Sequence, residues 1–295
     1  MHSHPRSPEL TRRHVMLAAA TAASSVFFGC NASTLAEEDF QRVIKNARIN
    51  QGICMGAVRG YKLDQVAPIL AKLGVKGVDL QGPANWAILK KHGLVGTMSP
   101  SHSLTQGLNR KENHEKCLAA IRKSIEDTAD AGFPNVICFS GNRNGLSDEE
   151  GIVNCVAGLK QVIGLAEKRK VTLCIELLNS KVNHKDYQCD HTAWGAAVCK
   201  GVGSDRMKLL YDIYHMQVQE GDVIATIRQF KDYIGHYHTA GVPGRHQIDD
   251  TQELYYPPIM QAILATGYQG FVSHEYTPTK DPFPCLIQAL QTCDV

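Results

Sequence analysis

Eight short apolar runs rich in β-forming residues recur between positions 52 and 276, separated by longer amphipathic stretches. They cover 52–58, 77–81, 95–99, 136–140, 172–177, 208–213, 235–240 and 270–276. From Gly52 to Glu275 the seven steps average about 32 residues, the length of a strand, a helix and their connections. Eight such units in about 265 residues fit a closed parallel (β/α)8 barrel, the TIM-barrel architecture. An open doubly wound sheet is the alternative, but no Gly-x-Gly-x-x-Gly follows any of the runs. No Pro-, Gly- or Ser-rich linker divides this body, so 51–295 reads as one domain.

The intervening segments carry helix punctuation. One spans 64–73 and stops at Gly74, with Pro68 inside it; another spans 112–131 and stops at Gly132. A third opens on Ser147 with Glu150 three residues on, a capping box. It closes near Lys168-Arg169-Lys170, where cations suit the negative end of the helix dipole.

The first thirty residues read as an address. Arg12-Arg13 stand directly before an Ala-rich apolar run, 15–29, the layout of a twin-arginine export signal. The run is too short for a spanning helix. Phe27-Phe28-Gly29-Cys30 resembles a lipobox, so a lipid on Cys30 is the one membrane attachment the sequence offers. Residues 31–50 then form a tether and lead-in. The expected location is exported and periplasmic.

Three basic residues against one acid in that segment account for the whole formal charge of +2. The remaining chain is neutral, which argues against nucleic acid as a partner and leaves a small molecule. Self-association into a homo-oligomer stays open. Ten cysteines in an exported chain invite a disulfide framework. However, Cys54, Cys138 and Cys174 lie inside apolar runs, where a free thiol serves as a small hydrophobe. Only Cys285 and Cys293 form a pair worth testing.

In a barrel of this kind the C-terminal strand ends line one face. The last polar residues of runs five to eight are Glu176, Asp212, His238 and Glu275, spaced 36, 26 and 37 residues apart. Each spacing is close to one βα unit, so all four project toward one mouth. Three carboxylates and one imidazole suit a single divalent cation, Mn²⁺, Mg²⁺ or Co²⁺, with Zn²⁺ also compatible. His236 shares the parity of His238 and reads as a core histidine one layer deeper. Trp86, Trp194, Tyr255 and Tyr256 read as packing more readily than as pocket walls.

Over residues 50–295 the chain resembles the xylose-isomerase-like barrels, most closely their hydroxypyruvate isomerase branch. Glu176-Leu177-Leu178-Asn179, Asp212-Ile213-Tyr214-His215-Met216-Gln217, Gly235-His236-Tyr237-His238, Val242-Pro243-Gly244-Arg245-His246 and His274-Glu275-Tyr276 carry the resemblance. It implies that Glu176, Asp212, His238 and Glu275 bind the metal and that Glu176 and Glu275 also transfer protons. It further implies that His215 and Arg245 contact substrate. Many hydroxypyruvate isomerases have Gln at the His238 position, and His-Tyr-His-Thr here is similar to the ketose 3-epimerases instead.

The implied reaction is an aldose-ketose type isomerisation. It interconverts a 2-oxo compound and its hydroxy-aldehyde partner by proton transfer through an enediolate, a charge that a Lewis-acid cation stabilises. The Arg245 fork would suit a substrate carboxylate, or it could pair with Asp249 or Asp250. His102 after the third run and Asn142 after the fourth complete the candidate substrate contacts. A ketose 3-epimerase is the alternative, and a non-catalytic exported sugar-binding barrel a lesser one. The endonuclease IV branch of the fold needs an Asp-x-His pair after the seventh strand, which 241–250 lacks.

Overall fold

Every one of the eight runs forms a strand: β1 (Asn50–Ile53), β2 (Gly77–Asp79), β3 (Val95–Met98), β4 (Asn135–Cys138), β5 (Thr172–Glu176), β6 (Met207–Asp212), β7 (Ile234–Thr239) and β8 (Phe271–His274). The computed structural model describes residues 40–295; the export segment 1–30, Cys30 and the first part of the tether lie outside the described residues. All strand pairs are parallel, in the order β3-β2-β1-β8-β7-β6-β5-β4. The seam between β3 and β4 is joined just past β3, where Ser99 bridges Val136 in parallel. There Ser99 N–H donates to the Asn135 carbonyl at 2.9 Å and Ile137 N–H to the Ser99 carbonyl at 3.0 Å.

Among the described residues ten α-helices complete the units: α1 (Leu63–Leu73), α2 (Pro83–Lys91), α3 (His114–Ala131), α4 (Asp148–Leu159), α5 (Ile163–Arg169), α6 (Thr192–Val202), α7 (Ile213–Gln219), α8 (Val223–Phe230), α9 (Tyr256–Ala265) and α10 (Pro282–Thr292). Gly74 and Gly132 end α1 and α3 in the left-handed region, at φ 99° and 74°, which glycine adopts without steric cost. Ser147 caps α4 as expected, its Oγ accepting from Glu150 N–H at 3.2 Å.

Two local readings are corrected. The first run leaves the sheet after Ile53, and Met55–Val58 form a 3₁₀ turn. Its Ala57 and Val58 are apolar because the turn itself is buried. The third predicted helix is two, α4 and α5, broken at Val162 (φ −123°), so that Val162 and Ile163 both enter the core.

Apolar burial between the sheet and the surrounding helices falls into two clusters. A smaller one joins α1 and α2 to β1 and β2, and a larger one spans β4–β8; α10 contributes to both. Met98, Ile137, Cys174 and Leu210 form a third, small cluster. Cys174 and Leu210 stand two residues before Glu176 and Asp212, on the same faces of their strands, so an apolar layer floors the barrel mouth. The lead-in is docked from its first described residues: Lys45, Asn46 and Ala47 N–H donate to the Asp294 carboxylate at 2.5, 2.8 and 2.9 Å. All nine described cysteines are free and buried, Cys285 and Cys293 included.

Candidate metal centre

Glu176 and Asp212 end β5 and β6, His238 is the penultimate residue of β7, and Glu275 follows β8. Strand register sets Asp212 directly beside His238. One ligating atom from each of the four residues lies within 4.8 Å of all the others. His238 Nδ1 is 2.6 Å from Glu275 Oε2, 3.5 Å from Glu176 Oε1 and 4.0 Å from Asp212 Oδ2. Despite the short distance to Glu275, Nδ1 is buried and aligned with no hydrogen-bond partner. An imidazole nitrogen converging with three carboxylates fits a small divalent cation in both geometry and charge, the cation replacing the proton on Nδ1.

Arg245 roofs this group. Its Nη2 lies 2.8 Å from Asp212 Oδ2 and 2.6 Å from Glu275 Oε2, and its guanidinium stacks 5.7 Å from the Tyr214 ring. The alternative partners do not hold it, since Asp249 pairs with Lys280 at 3.0 Å. Arg245 and Glu275 also line a cavity of roughly 360 Å³ with Cys54, Met55, Leu80 and Gln81, the size of a pocket for a small molecule. Glu176 and Asp212 lie deeper, 5% and 1% exposed.

The two glutamates are driven apart in acidity. Burial pushes Glu176 up to about 7, with the charges of Glu275 and Asp212 adding to the rise against the attraction of His238. Glu275 is also pushed up by burial, but His238 and Arg245 outweigh that and hold it below the usual carboxylate range. Carboxylates separated in this way can take opposite roles in proton transfer. Burial disfavours a charged His238, yet Glu275 and the hydrogen bond to Asp79 keep its pKa well above the ordinary value.

His215, near the start of α7, is fully buried. Its Nδ1 accepts from Asn179 Nδ2 at 2.7 Å and Asn179 N–H at 3.2 Å. Asn179 Oδ1 is itself occupied by Val182 and Asn183 N–H, which fixes the amide orientation. The proton of neutral His215 is therefore on Nε2, a buried donor without a partner, 3.8 Å from Asp212. Burial, then Arg245, hold its pKa well below the ordinary value.

The other two predicted substrate contacts are placed differently. His102 Nδ1 donates to the Ser103 carbonyl at 3.1 Å and Nε2 accepts from Phe139 N–H at 3.2 Å. It lines a separate pocket with Gln106 and Lys116. Asn142 sits on the loop after β4, its main chain bridged to Tyr187. Trp86 packs on Phe133, Trp194 donates to the Asp148 carbonyl and the Tyr256 hydroxyl joins the Ala240 main chain, all packing roles; Tyr255 is 74% exposed.

Sequence reasoning missed Asp79, the last residue of β2. It is fully buried, with Oδ2 2.6 Å from His236 Nε2 and 2.8 Å from His238 Nε2. Its Oδ1 accepts from Ser273 Oγ at 2.9 Å and from Thr97 Oγ1. Burial alone would raise its pKa, but attraction to His236 and the two imidazole hydrogen bonds hold it far below the carboxylate range. The only signal in the sequence was an acid in the middle of the apolar run 77–81, with no partner at repeating distance.

Comparison with known proteins agrees with the fold. The family described as the xylose isomerase-like TIM barrel matches residues 64–293. The chain belongs to that family. Among its relatives, hydroxypyruvate isomerase of Escherichia coli K12 is 29% identical over 224 residues, 70% of this chain and 85% of that protein. The 2-oxo-tetronate isomerase of Cupriavidus necator is 37% identical over 113 residues, 38% of this chain, so the chain spans only 43% of that relative's length. The xylose isomerase-like fold is also that of D-psicose 3-epimerase from Clostridium cellulolyticum H10, at TM-score 0.68 and 18% identity over 83% of this chain and 96% of that one.

Proposed function

We propose that this protein is a divalent-metal-dependent isomerase of small hydroxy-carbonyl compounds, acting on a 2-oxo acid such as hydroxypyruvate. The observation that carries this reading is the convergence of Glu176, Asp212, His238 and Glu275 around the unpartnered His238 Nδ1. Those four residues would hold Mn²⁺, Mg²⁺ or Co²⁺, which supplies Lewis-acid stabilisation of the enediolate when bound.

Everything else falls to the chain's own side chains. Glu275 accepts a proton from the carbon next to the carbonyl in one direction and Glu176 delivers one to the former carbonyl carbon; the hydroxyl proton released as the new carbonyl forms returns to Glu176, and the proton held by Glu275 passes to the former carbonyl oxygen, so both carboxyls are restored. In the reverse direction they exchange roles. Arg245 reaches the cavity wall and offers a planar fork to a substrate carboxylate. The buried, unpartnered Nε2–H of His215, 3.8 Å from Asp212 Oδ2, would donate to a substrate oxygen at the metal centre.

The test is a substrate panel of hydroxypyruvate, keto-acid sugars and free ketoses on protein stripped with chelator and reloaded with Mn²⁺. Metal-dependent isomerisation and uptake of deuterium from heavy water are expected with the 2-oxo acids. Turnover of ketoses alone would instead support the second reading, a ketose 3-epimerase, which the His-Tyr-His-Thr segment and the D-psicose 3-epimerase fold favour. Sugar binding without any proton exchange would leave only a binding barrel. The paired Arg12-Arg13 supports periplasmic delivery; Arg12→Lys with Arg13→Lys should retain the protein in the cytoplasm on fractionation.

A further inference from the structure

Beneath the four converging groups lies a second cluster in which Cys54, Asp79 and His238 also approach within 4.8 Å of one another. It is not built to take another cation. Asp79 already has four donors: two imidazole nitrogens on Oδ2 and the Thr97 and Ser273 hydroxyls on Oδ1. A carboxylate so filled has no oxygen lone pair left to aim at a metal. The barrel makes room for this arrangement. A Cβ on Gly52 would strike Ser273 Oγ, and one on Gly77 would strike the Thr97 methyl and the Val95 carbonyl. Both hydroxyl donors to Asp79 thus stand where glycines on the neighbouring strands let them stand.

The consequence falls on His238. Its Nε2 faces Asp79 at 2.8 Å while its Nδ1 faces the three carboxylates. We propose that Asp79 is the positioning residue of the metal centre, fixing the proton of His238 on Nε2 so that the Nδ1 lone pair is presented to the cation. This rests on the metal-dependent reading of the site and deepens it. Removing a hydrogen-bond partner of a metal-bound histidine generally weakens metal binding about 10- to 100-fold.

The experiment titrates Mn²⁺ by calorimetry into the metal-stripped full chain, its Asp79→Asn variant, His238→Gln, and the double variant. Asp79→Asn should weaken Mn²⁺ binding about 10- to 100-fold in the native background and have almost no further effect in the His238→Gln background, because glutamine has no ring proton to fix. Nitrogen NMR of the Zn²⁺-loaded wild type should show His238 protonated on Nε2. Should Asp79→Asn not fold, Ser273→Ala removes one donor from Asp79 without touching a ligand and should weaken binding by a smaller factor. A wild type that binds no divalent cation overturns the metal reading itself. Tight Mn²⁺ binding in wild type with equal affinity in Asp79→Asn, equal losses in both backgrounds, no loss in Ser273→Ala where it is the variant that folds, or an Nδ1-protonated His238 overturns only the role of Asp79.

Discussion

The two halves of the barrel mouth do different work. β5, β6, β7 and β8 deliver Glu176, Asp212, His238 and Glu275 to one point. β2 and β3 deliver Asp79 and Thr97, which hold other side chains in place. Strand spacing explains the division. Neighbouring strands lie about 4.8 Å apart, so groups on consecutive strands can reach one small ion, whereas a group across the barrel meets only its inner faces. On the reading proposed above, chemistry gathers on one arc and the opposite arc supplies the orientation.

The arc that carries chemistry is broken most severely by losing a proton-transferring carboxylate. Glu176→Gln and Glu275→Gln each keep the shape and remove the ability to exchange a proton. Rates of isomerisation and of deuterium uptake should fall by roughly 10²- to 10⁴-fold, the usual worth of a general acid or base. Stopped isomerisation with unaltered deuterium uptake in both variants would separate these residues from proton transfer and sink the assignment.

Arg245→Ala sharpens the comparison next. Arg245 bridges Asp212 and Glu275 at the cavity wall and reaches no group of the opposite arc in these contacts. For a carboxylate-bearing substrate KM should rise about tenfold or more, the effect of losing one charge-assisted contact, whereas the loss of the Arg245 charge beside Glu275 lowers kcat for both substrate types alike. A neutral ketose should show no such rise. Equal changes in KM on both substrate types would mean that the guanidinium serves the carboxylates alone.

The same division governs what could be read from sequence. Glu176, Asp212, His238 and Glu275 were legible because four hard ligands close successive runs at intervals of one βα unit. Asp79 lies inside the run 77–81 and ends β2 only because the strand stops short of the run's end, and its partners Thr97, His236, His238 and Ser273 come from three other strands at unrelated distances. Pairing across a barrel leaves no period in the chain. His102 looked like a pocket residue for the opposite reason. It follows a run at the right place, but the main chain of Ser103 and Phe139 occupies both its nitrogens, which composition does not reveal. The strands themselves were legible throughout, because burial on both faces demands apolar runs; the one that overran, 52–58, did so because a buried 3₁₀ turn demands the same residues.

A smaller effect is expected from packing in the orienting arc. Gly52→Ala places a methyl against Ser273 Oγ and the Gly77 carbonyl. Overpacking of this kind costs about 1–3 kcal/mol, which chemical denaturation resolves. Gly164→Ala in α5, where an added Cβ meets nothing within 4 Å, should stabilise by about 0.5–1 kcal/mol through helix propensity. If Gly52→Ala were as harmless as Gly164→Ala, the close fit around Ser273 would not be limiting.

The smallest effect is on His102, and it probes whether the end of β3 touches substrate. Burial lowers its pKa from 6.5 to about 4, and a proton on Nε2 would also face the Phe139 N–H that this nitrogen now accepts. The unfolded chain, titrating near 6.5, takes up a proton that the folded protein refuses until about pH 4. Stability therefore declines as pH falls through that window and recovers as it rises. His102→Asn removes this contribution, so its urea midpoint should fall less steeply than that of wild type between pH 7 and pH 5 (roughly the upper part of the window), with KM unchanged. A raised KM in that variant would extend the substrate surface from the β1 and β2 ends, where Cys54, Met55, Leu80 and Gln81 line the cavity, to the end of β3, and the assignment of His102 to orientation would fail.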